Sequence, residues 1–298
     1  MAYVGRFAPS PTGPLHFGSL VAALASYLDA KAHNGKWLVR IEDIDETRCD
    51  PIYTADILRT LQAFGMQWDG EVEIQSKRKA LYGAALQKLR SDGLIYACDC
   101  SRREIADSAL AGLEGPVYPG TCRQSVNTEH GNAIRVRTSN ENITFIDLVQ
   151  GHVEQRIESE IGDFVVRRRD GLFAYQFAVT VDDADQGVTN VVRGADLLDS
   201  TARQMHLQRL LGLPTPQYLH IPVAVNKLGQ KLSKQTLAAA VPTSSGQGRE
   251  MLLSALRFLG QSIIASESAR TIEELLALAT RDWRRDCIPR ARARPIDP

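Results

Sequence analysis

Strand-like and helix-like segments alternate through the first third of this chain, and that order constrains the fold more than any other feature. The helix-like segments carry apolar residues at helical spacing, and glycines stand where helices should end. Strands that alternate with helices in this way favour a parallel sheet covered by helices. The predicted strands are residues 3–7 and 37–41, and the predicted helices are residues 19–33, 51–64 and 76–90.

The later part of the chain carries less regular patterns. The tail at residues 281–294 holds six arginines and few apolar residues, so we expect it to be poorly ordered. Two segments between the first third and this tail differ in character. Residues 133–137 alternate as an exposed strand would, and residues 173–181 form a mostly apolar run that favours a buried strand. Further predicted elements are a strand over 218–225 and helices over 200–211, 249–259 and 271–280.

The charge balance excludes a generic binder of polyanions, since 35 Lys and Arg residues offset 35 Asp and Glu residues. Contact with a nucleic acid would therefore need a local basic face. No apolar run reaches the roughly 18 residues that a membrane helix needs. The N-terminus has no basic patch followed by an apolar stretch, which argues against a signal peptide. We therefore expect no membrane association and a cytoplasmic location.

A turn rich in proline and glycine follows the first predicted strand, where residues 6–19 read RFAPSPTGPLHFGS. Its prolines and Gly13 would fix a rigid turn, and Gly18 would let a base or ribose lie against the backbone. His16 can donate to phosphate oxygens, and the N-terminus of the following helix favours anions. The acidic run at residues 42–46 also follows a strand. Both segments should therefore lie at the carboxyl ends of parallel strands, where such sheets bind ligands.

A second segment suited to phosphates reads KLSKQ at residues 231–235. Lys231 and Lys234 are separated by two residues, so both ammonium groups could reach one pyrophosphate from a loop. Taken alone, neither segment indicates a function, because most turns rich in proline and glycine serve only the fold and most lysine pairs in loops only face solvent. Together, in this order and at strand ends, they indicate a site that binds ATP and activates a carboxylate.

The cysteines suggest a metal site. Cys98, Cys100 and Cys122 fall in a stretch poor in apolar residues, where a metal ion could replace a missing core. Five unevenly spaced cysteines argue against a disulfide framework. The sequence therefore predicts zinc, with free thiols in a reducing compartment as the alternative. Cys49 and Cys287 are expected to take no part.

With these motifs, residues 3–236 resemble the catalytic domain of glutamyl-tRNA synthetases. Residues 6–13 carry the N-terminal motif of that family, residues 16–19 (HFGS) stand for its HIGH signature, and residues 231–235 stand for its KMSKS signature. The resemblance implies a class I synthetase fold: an α/β, Rossmann-like, doubly wound parallel sheet with a zinc-containing insertion and a small helical C-terminal part.

Both signatures depart from the family pattern at their last position. Ser19 replaces the last His of HIGH, and Gln235 replaces the last Ser of KMSKS. The first His of HIGH and both lysines of KMSKS keep their places. The resemblance therefore implies catalytic roles for His16, Lys231 and Lys234.

A pocket for glutamate needs an acid for the α-ammonium group and arginines for the side-chain carboxylate, which a guanidinium binds through two hydrogen bonds. The segments that contain Arg6, Glu42, Tyr175 and Arg193 look like those of the glutamate-activating family. Taken singly, Glu42 could be one acid of a solvated turn, and Arg193 could form an ordinary surface ion pair. The glutamate-binding residues that the resemblance implies are Arg6, Ala8, Ser10, Glu42, Tyr175 and Arg193. The ATP-binding residues that it implies are Pro9, Gly13, His16, Gly18, Asp196 and Lys234.

The same family has a Tyr-x-Gly-x-Cys zinc element, which residues 118–122 (YPGTC) match. A phenolate is an unusual zinc ligand, so His130 and Asp99 remain competitors for the fourth position. The zinc ligands that the resemblance implies are Cys98, Cys100, Tyr118 and Cys122.

The resemblance also implies how the chain is divided. A full glutamyl-tRNA synthetase continues into a large helical anticodon-binding region, whereas 63 residues follow Gln235 here. The expected parts are residues 1–97, the first half of the catalytic domain; 98–170, an insertion with the zinc element and an acceptor-binding region; 171–236, the second half with the KMSKS-like loop; and 237–298, a short helical segment and basic tail with no anticodon-binding domain.

This division resembles that of a truncated paralogue in the family, which esterifies glutamate onto the cyclopentenediol of queuosine at position 34 of tRNA(Asp). The expected activity is ATP-dependent formation of glutamyl adenylate, with Mg²⁺ on the phosphates, followed by transfer to the tRNA(Asp) anticodon loop. Two alternatives remain: a shortened glutamyl-tRNA synthetase that charges the 3′ end of tRNA(Glu), and a catalytically silent tRNA-binding paralogue. We expect a monomer.

Overall fold

The structure is a computed structural model. It describes residues 2–108, 111–112, 115–125, 128–226, 229–230, 240–242 and 245–296. The predicted loop at residues 231–235, with Lys231, Lys234 and Gln235, lies outside the described residues. Among those described, no helix combines the length and the apolar character needed to cross a lipid bilayer.

The elements follow the predicted alternation closely in the first 91 residues. The described helices are α1 (Phe17–Ala32), α2 (Pro51–Ala63), α3 (Lys79–Ser91), α4 (Arg102–Ser108), α5 (Ile157–Glu160), α6 (Tyr175–Asp185), α7 (Thr201–Leu211), α8 (Ser245–Phe258), α9 (Ile264–Glu267) and α10 (Ile272–Arg281). The described strands are β1 (Val4–Phe7), β2 (Lys36–Ile41), β3 (Glu73–Ile74), β4 (Ile95–Cys98), β5 (Ala111–Gly112), β6 (Gly115–Pro116), β7 (Ala133–Val136), β8 (Asn142–Asp147), β9 (Gly151–Arg156), β10 (Val165–Arg167), β11 (Asn190–Gly194), β12 (Gln217–Ile221), β13 (Val223–Val225) and β14 (Ala293–Pro295).

The predicted parallel α/β arrangement is confirmed. β1, β2 and β3 form a parallel sheet in that order, and β11 pairs in parallel with β12. The backbone N–H of Thr189, next to β11, donates to the Val4 carbonyl at 2.9 Å and joins the two sheets. The carboxyl ends of β1, β2, β11 and β12 therefore lie on one side, where parallel sheets bind ligands.

Local signals in the sequence explain where the early helices begin and end. Asp50 caps α2 by accepting from the backbone N–H of Ile52, and Pro51 occupies the first turn. Gly65 follows α2 with a φ of 69°, a left-handed conformation that glycine adopts without strain. These residues place the helices that cover the sheet.

The expectation of a buried strand at residues 173–181 is wrong, because this segment forms α6. Phe177, Ala178 and Val181 pack into the core with the spacing of one helical face, while Asp182 and Asp183 are buried as well. A helix buried on several sides shows a nearly continuous apolar run, which periodicity cannot distinguish from a buried strand.

The strand expected at residues 133–137 is confirmed as β7, but the expectation that it is exposed is wrong. β7 is the central strand of an antiparallel sheet, between β10 and β4, and Arg135 is buried within it. Arg135 Nη1 donates to the Asp163 carbonyl at 2.7 Å, and its guanidinium lies 3.9 Å from the centre of the Tyr118 ring. Internal contacts therefore hold in the sheet a charge that the alternating pattern assigns to solvent. Since β4 belongs to this sheet, the sheet of the predicted insertion begins before residue 98.

The C-terminal tail packs against β13 and α1 rather than being poorly ordered. β14 pairs in parallel with β13, a strand that Pro222 separates from β12. The fully buried carboxylate of Asp29 in α1 accepts from Trp283 Nε1 at 2.9 Å and from Arg285 Nε at 2.7 Å. It also accepts from the Tyr3 hydroxyl at 2.5 Å. One buried acid thus joins the N-terminal segment, α1 and the tail.

We predict that Asp29→Asn lowers the free energy of unfolding by about 3 kcal/mol, because Arg285 and Trp283 lose a buried charged acceptor. Urea unfolding at pH 7 measures the change. Asp286→Asn is the control, since it removes an exposed carboxylate that binds Arg284 and should leave the unfolding midpoint unchanged. An Asp29 variant as stable as the wild type would show that Asp29 does not anchor the tail.

Candidate active site

A cavity of about 710 Å³ opens at the carboxyl ends of β1, β11 and β12. One wall is the turn after β1 with the start of α1, and the opposite wall follows β11 and β12. The structure thus brings together residues that are far apart in the sequence. The predicted glutamate and ATP residues that line this cavity are Arg6, Ala8, Pro9, Ser10, His16, Gly18, Tyr175, Arg193 and Asp196.

A second cavity, of about 350 Å³, adjoins the first and contains Glu42. Ala8, Ser10 and Tyr175 are among the residues that line both cavities, so the two cavities are contiguous. Gly13 is buried but lines neither cavity.

His16 caps α1 and is held by the residue that departs from the family pattern. The backbone N–H of Ser19 donates to His16 Nδ1 at 3.3 Å, and Ser19 Oγ lies 3.1 Å from His16 Nε2. A Cβ added to Gly18 would lie 3.3 Å from the His16 ring. Gly18 therefore leaves room for the imidazole of His16. The sequence predicts instead that a base or ribose lies against the backbone at Gly18.

The segment after the predicted lysine loop returns to this turn. Ala240 forms a β-bridge with His16, and the backbone N–H of Val241 donates to the Leu15 carbonyl at 3.0 Å. The described residues on the C-terminal side of the loop are therefore anchored beside His16.

Asp196 occupies space that a side chain at position 194 would fill. A Cβ on Gly194 would lie 2.4 Å from Asp196 Oδ1. The Asp196 carboxylate therefore folds back over the end of β11, and a larger residue at position 194 would displace it.

A buried ionic cluster underlies the cavity floor. The Asp183 carboxylate, in α6, accepts from Arg6 Nε at 3.1 Å and from Arg40 Nη2 at 2.7 Å. Burial alone would raise the pKa of Asp183, but the two guanidinium groups lower it below its usual range. Arg40 also donates to Glu42 at 3.3 Å. Asp183 and Arg40 are not among the site residues that the sequence predicts, although charged residues in buried elements must be paired and so indicate such a cluster.

Glu42 is less well compensated than Asp183. Burial raises the pKa of Glu42 to about 7, although Arg40 and Arg6 act in the opposite direction. Burial likewise raises the pKa of the neighbouring Tyr175 to about 12, so its phenol keeps its proton. A cation placed beside Glu42 would stabilise its ionised form, which is the requirement of a site for an ammonium group.

Arg193 lines the cavity, and hydrogen bonds hold its guanidinium in place. Its Nε donates to His220 Nε2 at 2.9 Å, and its Nη2 donates to Thr201 Oγ1 at 3.0 Å and to the Leu197 carbonyl at 3.3 Å. Its Nη1 is buried and has no hydrogen-bond partner among the described residues. Within the described part of the chain, both N–H groups of Nη1 are therefore unpaired on a buried cation, which is the condition expected where a ligand supplies the missing acceptor.

The predicted metal ligands lie close together in the structure. The Sγ atoms of Cys98, Cys100 and Cys122 lie within 4.8 Å of one another. Tyr118 Oη lies 3.4 Å from Cys98 Sγ and 3.6 Å from Cys100 Sγ. Three sulfurs and one phenol oxygen around one point form a donor set that fits a tetrahedral zinc ion.

Asp99 and His130, the alternatives to Tyr118 as fourth ligand, differ in their distance from the cysteine cluster. Asp99 Oδ1 lies 3.1 Å from Cys122 Sγ, at the margin of the cluster, whereas His130 is exposed and is not among its members. Tyr118 also accepts from the backbone N–H of Cys122 at 2.8 Å. The geometry favours Tyr118, with Asp99 second.

Fold and site together define a class of protein. Residues 3–285 match the family described as tRNA synthetases class I (E and Q), catalytic domain. The glutamate-tRNA synthetase from Elizabethkingia anophelis shares this fold, with a TM-score of 0.82 at 22% identity over 100% of this chain and 68% of that one.

More similar relatives narrow the class. The chain is 52% identical to the glutamyl-Q tRNA(Asp) synthetase of Ectopseudomonas mendocina (strain ymp), over 98% of this chain and 96% of that protein. It is 54% identical to the protein of that name from Dechloromonas aromatica (strain RCB), over 97% and 96%. The chain therefore belongs to the class I synthetases of the E and Q type and, within them, to the glutamyl-Q tRNA(Asp) synthetase family.

The raised pKa of Glu42 predicts a stability effect with a definite sign. The pKa is about 7 in the folded state against 4.5 for the unperturbed group, so the folded protein loses stability as the pH rises through this window. Glu42→Gln carries no charge and should be more stable than the wild type at pH 8, by about 2–3 kcal/mol. The difference should shrink as the pH falls from 8 to 5.

Urea unfolding at several pH values measures this difference. Glu46→Gln is the control, because Glu46 is exposed, binds Lys79 at the surface and should alter stability little at any pH. Equal stability of Glu42→Gln and the wild type at pH 8 would mean that Glu42 is not under electrostatic strain.

Proposed function

We propose that this protein activates L-glutamate with ATP and transfers it to the cyclopentenediol of queuosine at position 34 of tRNA(Asp). The observation that carries the proposal is about 50% identity, over nearly the full length of both chains, to proteins named glutamyl-Q tRNA(Asp) synthetase. The cavity supports it, because its arginines and acids have the charges that glutamate requires. The proposal includes a cytoplasmic monomer and the four-part division of the chain given above.

Glutamate would be recognised at opposite ends by opposite charges. Arg193, through Nη1, and Arg6 would bind the side-chain carboxylate. Glu42 would bind the α-ammonium group, which would keep Glu42 ionised near neutral pH. Tyr175 would separate the two ends. Ala8 and Ser10 would line the pocket at the junction of the two cavities.

ATP would lie against the turn after β1. Pro9, His16 and Gly18 would hold it there, with Gly13 supporting the turn and Asp196 on the opposite wall. Lys231 and Lys234 would neutralise the pyrophosphate from the loop whose far end is anchored beside His16. Mg²⁺ would be bound to the phosphates of ATP.

The chemistry needs no covalent intermediate on the protein. An α-carboxylate oxygen of glutamate attacks the α-phosphorus of ATP, and pyrophosphate leaves, so that glutamyl adenylate forms. A hydroxyl of the queuosine diol then attacks the glutamyl carbonyl carbon; it loses its proton, and AMP leaves. The side chains contribute by holding both substrates in line and by stabilising charge.

The cysteine cluster would hold Zn²⁺ through Cys98, Cys100, Cys122 and Tyr118. Few apolar side chains pack there, so the ion would supply cross-links that a hydrophobic core supplies elsewhere. Tyr118 also contacts Arg135 of β7, so the cluster is connected to the sheet of the insertion.

The activity is tested in two steps with the purified protein. We expect glutamate-dependent ATP–pyrophosphate exchange without tRNA, followed by acid-labile glutamylation of queuosine-containing tRNA(Asp). Queuosine-free tRNA(Asp) and tRNA(Glu) are the controls and should remain uncharged. Their robust charging would contradict the proposed acceptor, and absence of exchange with zinc supplied would contradict glutamate activation.

We predict that Cys98→Ser reduces bound zinc from about one ion per chain to nearly none, because a structural site needs all its ligands. Atomic emission of the purified protein measures zinc. Cys287→Ser changes an exposed cysteine outside the cluster and should keep its zinc. Tyr118→Phe should release zinc to a chelator faster than Asp99→Asn; the reverse order would assign the fourth ligand to Asp99.

A further inference from the structure

Arg193 depends on a histidine outside the cavity. Arg193 and His220 are directly paired residues of β11 and β12, and Arg193 Nε donates to His220 Nε2 at 2.9 Å. His220 is fully buried and does not line the cavity. Because a guanidinium has only donors, this contact requires a lone pair on Nε2, and the proton of a neutral His220 must be on Nδ1.

Asp147 supplies the partner that puts the proton there. Asp147 Oδ2 lies 2.6 Å from His220 Nδ1, and both side chains are fully buried. Asp147 Oδ1 accepts the backbone N–H groups of Val149, Gln150 and His220 at 3.0, 2.8 and 3.2 Å. An acceptor-only carboxylate facing Nδ1 fixes one tautomer of the ring.

The charges favour the same arrangement. Burial lowers the pKa of His220 to about 4, since the attraction of Asp147 is opposed by Arg193. Burial opposes ionisation of Asp147, but the contact with His220 lowers its pKa below its usual range. Near neutral pH the three hydrogen-bonded side chains are therefore an ionised Asp147, a neutral His220 and a charged Arg193.

We propose that Asp147 and His220 are positioning residues that orient Arg193 towards the carboxylate of the substrate, so that glutamate affinity depends on a pair of side chains outside the cavity. The proposal rests on the proposed function of Arg193. Nε and Nη2 of Arg193 are occupied by protein acceptors, which leaves the buried Nη1 for the ligand. Asp147 ends β8, so the segment predicted as the insertion contributes to glutamate binding without touching glutamate.

Asp147→Asn tests the tautomer. The Asn amide can keep the three backbone contacts through its oxygen and turn its N–H₂ group to Nδ1, which moves the ring proton to Nε2. An N–H would then face the Nε–H of Arg193. We expect the KM for glutamate in ATP–pyrophosphate exchange to rise about 10–100-fold, as loss of a charge-assisted hydrogen bond implies, with the KM for ATP within about twofold.

Four further variants separate positioning from general damage. His220→Ala should raise the glutamate KM as Asp147→Asn does, and His220→Gln should restore part of the loss because its carbonyl oxygen can accept from Arg193. His220→Ala should add little in an Arg193→Ala background, since it acts through Arg193. His206→Gln is the matched control: His206 is also buried, but it contacts the Arg137 carbonyl and should leave both KM values unchanged.

Nitrogen NMR of histidine-labelled protein gives a readout independent of activity. We expect a protonated Nδ1 on His220 in the wild type and a protonated Nε2 in Asp147→Asn. An Nε2–H tautomer in the wild type, or a glutamate KM within twofold of wild type in a folded Asp147→Asn, would overturn the proposal. Failure of the wild type to exchange pyrophosphate would instead refute the proposed function, and the NMR result would then still decide the tautomer.

Discussion

The pairing of Asp183 with Arg6 and Arg40 is the contact on which the site depends. It joins β1, β2 and α6, and all three side chains are buried. Charges removed from water are tolerated only when they are paired and hydrogen-bonded, so none of the three can be placed without the others. The contact therefore fixes where the cavity floor lies relative to both strand ends and leaves Arg6 facing the cavity from a rigid support.

On the opposite wall of the cavity an arginine is again held by an acid, here through an intervening histidine. Arg193 is held from behind by His220, and His220 is held by Asp147. Both cavity arginines are thus supported by an acid from a distant part of the chain, one in α6 and one at the end of β8. Guanidinium groups fixed before the ligand arrives lose little freedom on binding, which favours both affinity and discrimination between carboxylates. Glu42 shows that such a preformed site costs stability, since burial of this carboxylate raises its pKa to about 7.

How far the site could be predicted differs from residue to residue. The turn after β1, the end of β2 and the three cysteines follow from local sequence, because motif spacing and strand ends place them. Asp147 and His220 carry no such signal: each is an ordinary residue of a strand until the partner strand is known. Arg135 shows the same limit, since its alternating context indicates solvent and its actual partners, Asp163 and Tyr118, are remote in sequence.

The sequence by itself determined the parallel α/β order, the helix boundaries marked by Asp50, Pro51 and Gly65, and the motifs that face the ligand edge. These depend on interactions within a few residues, which are the same in any fold. Only the tertiary structure decided that residues 175–185 form a helix, that the arginine-rich tail binds Asp29, and that acids outside the cavity hold its arginines. The reason is physical: a buried charge is stable only beside its partner, and the partner is chosen by chain packing rather than by neighbouring residues.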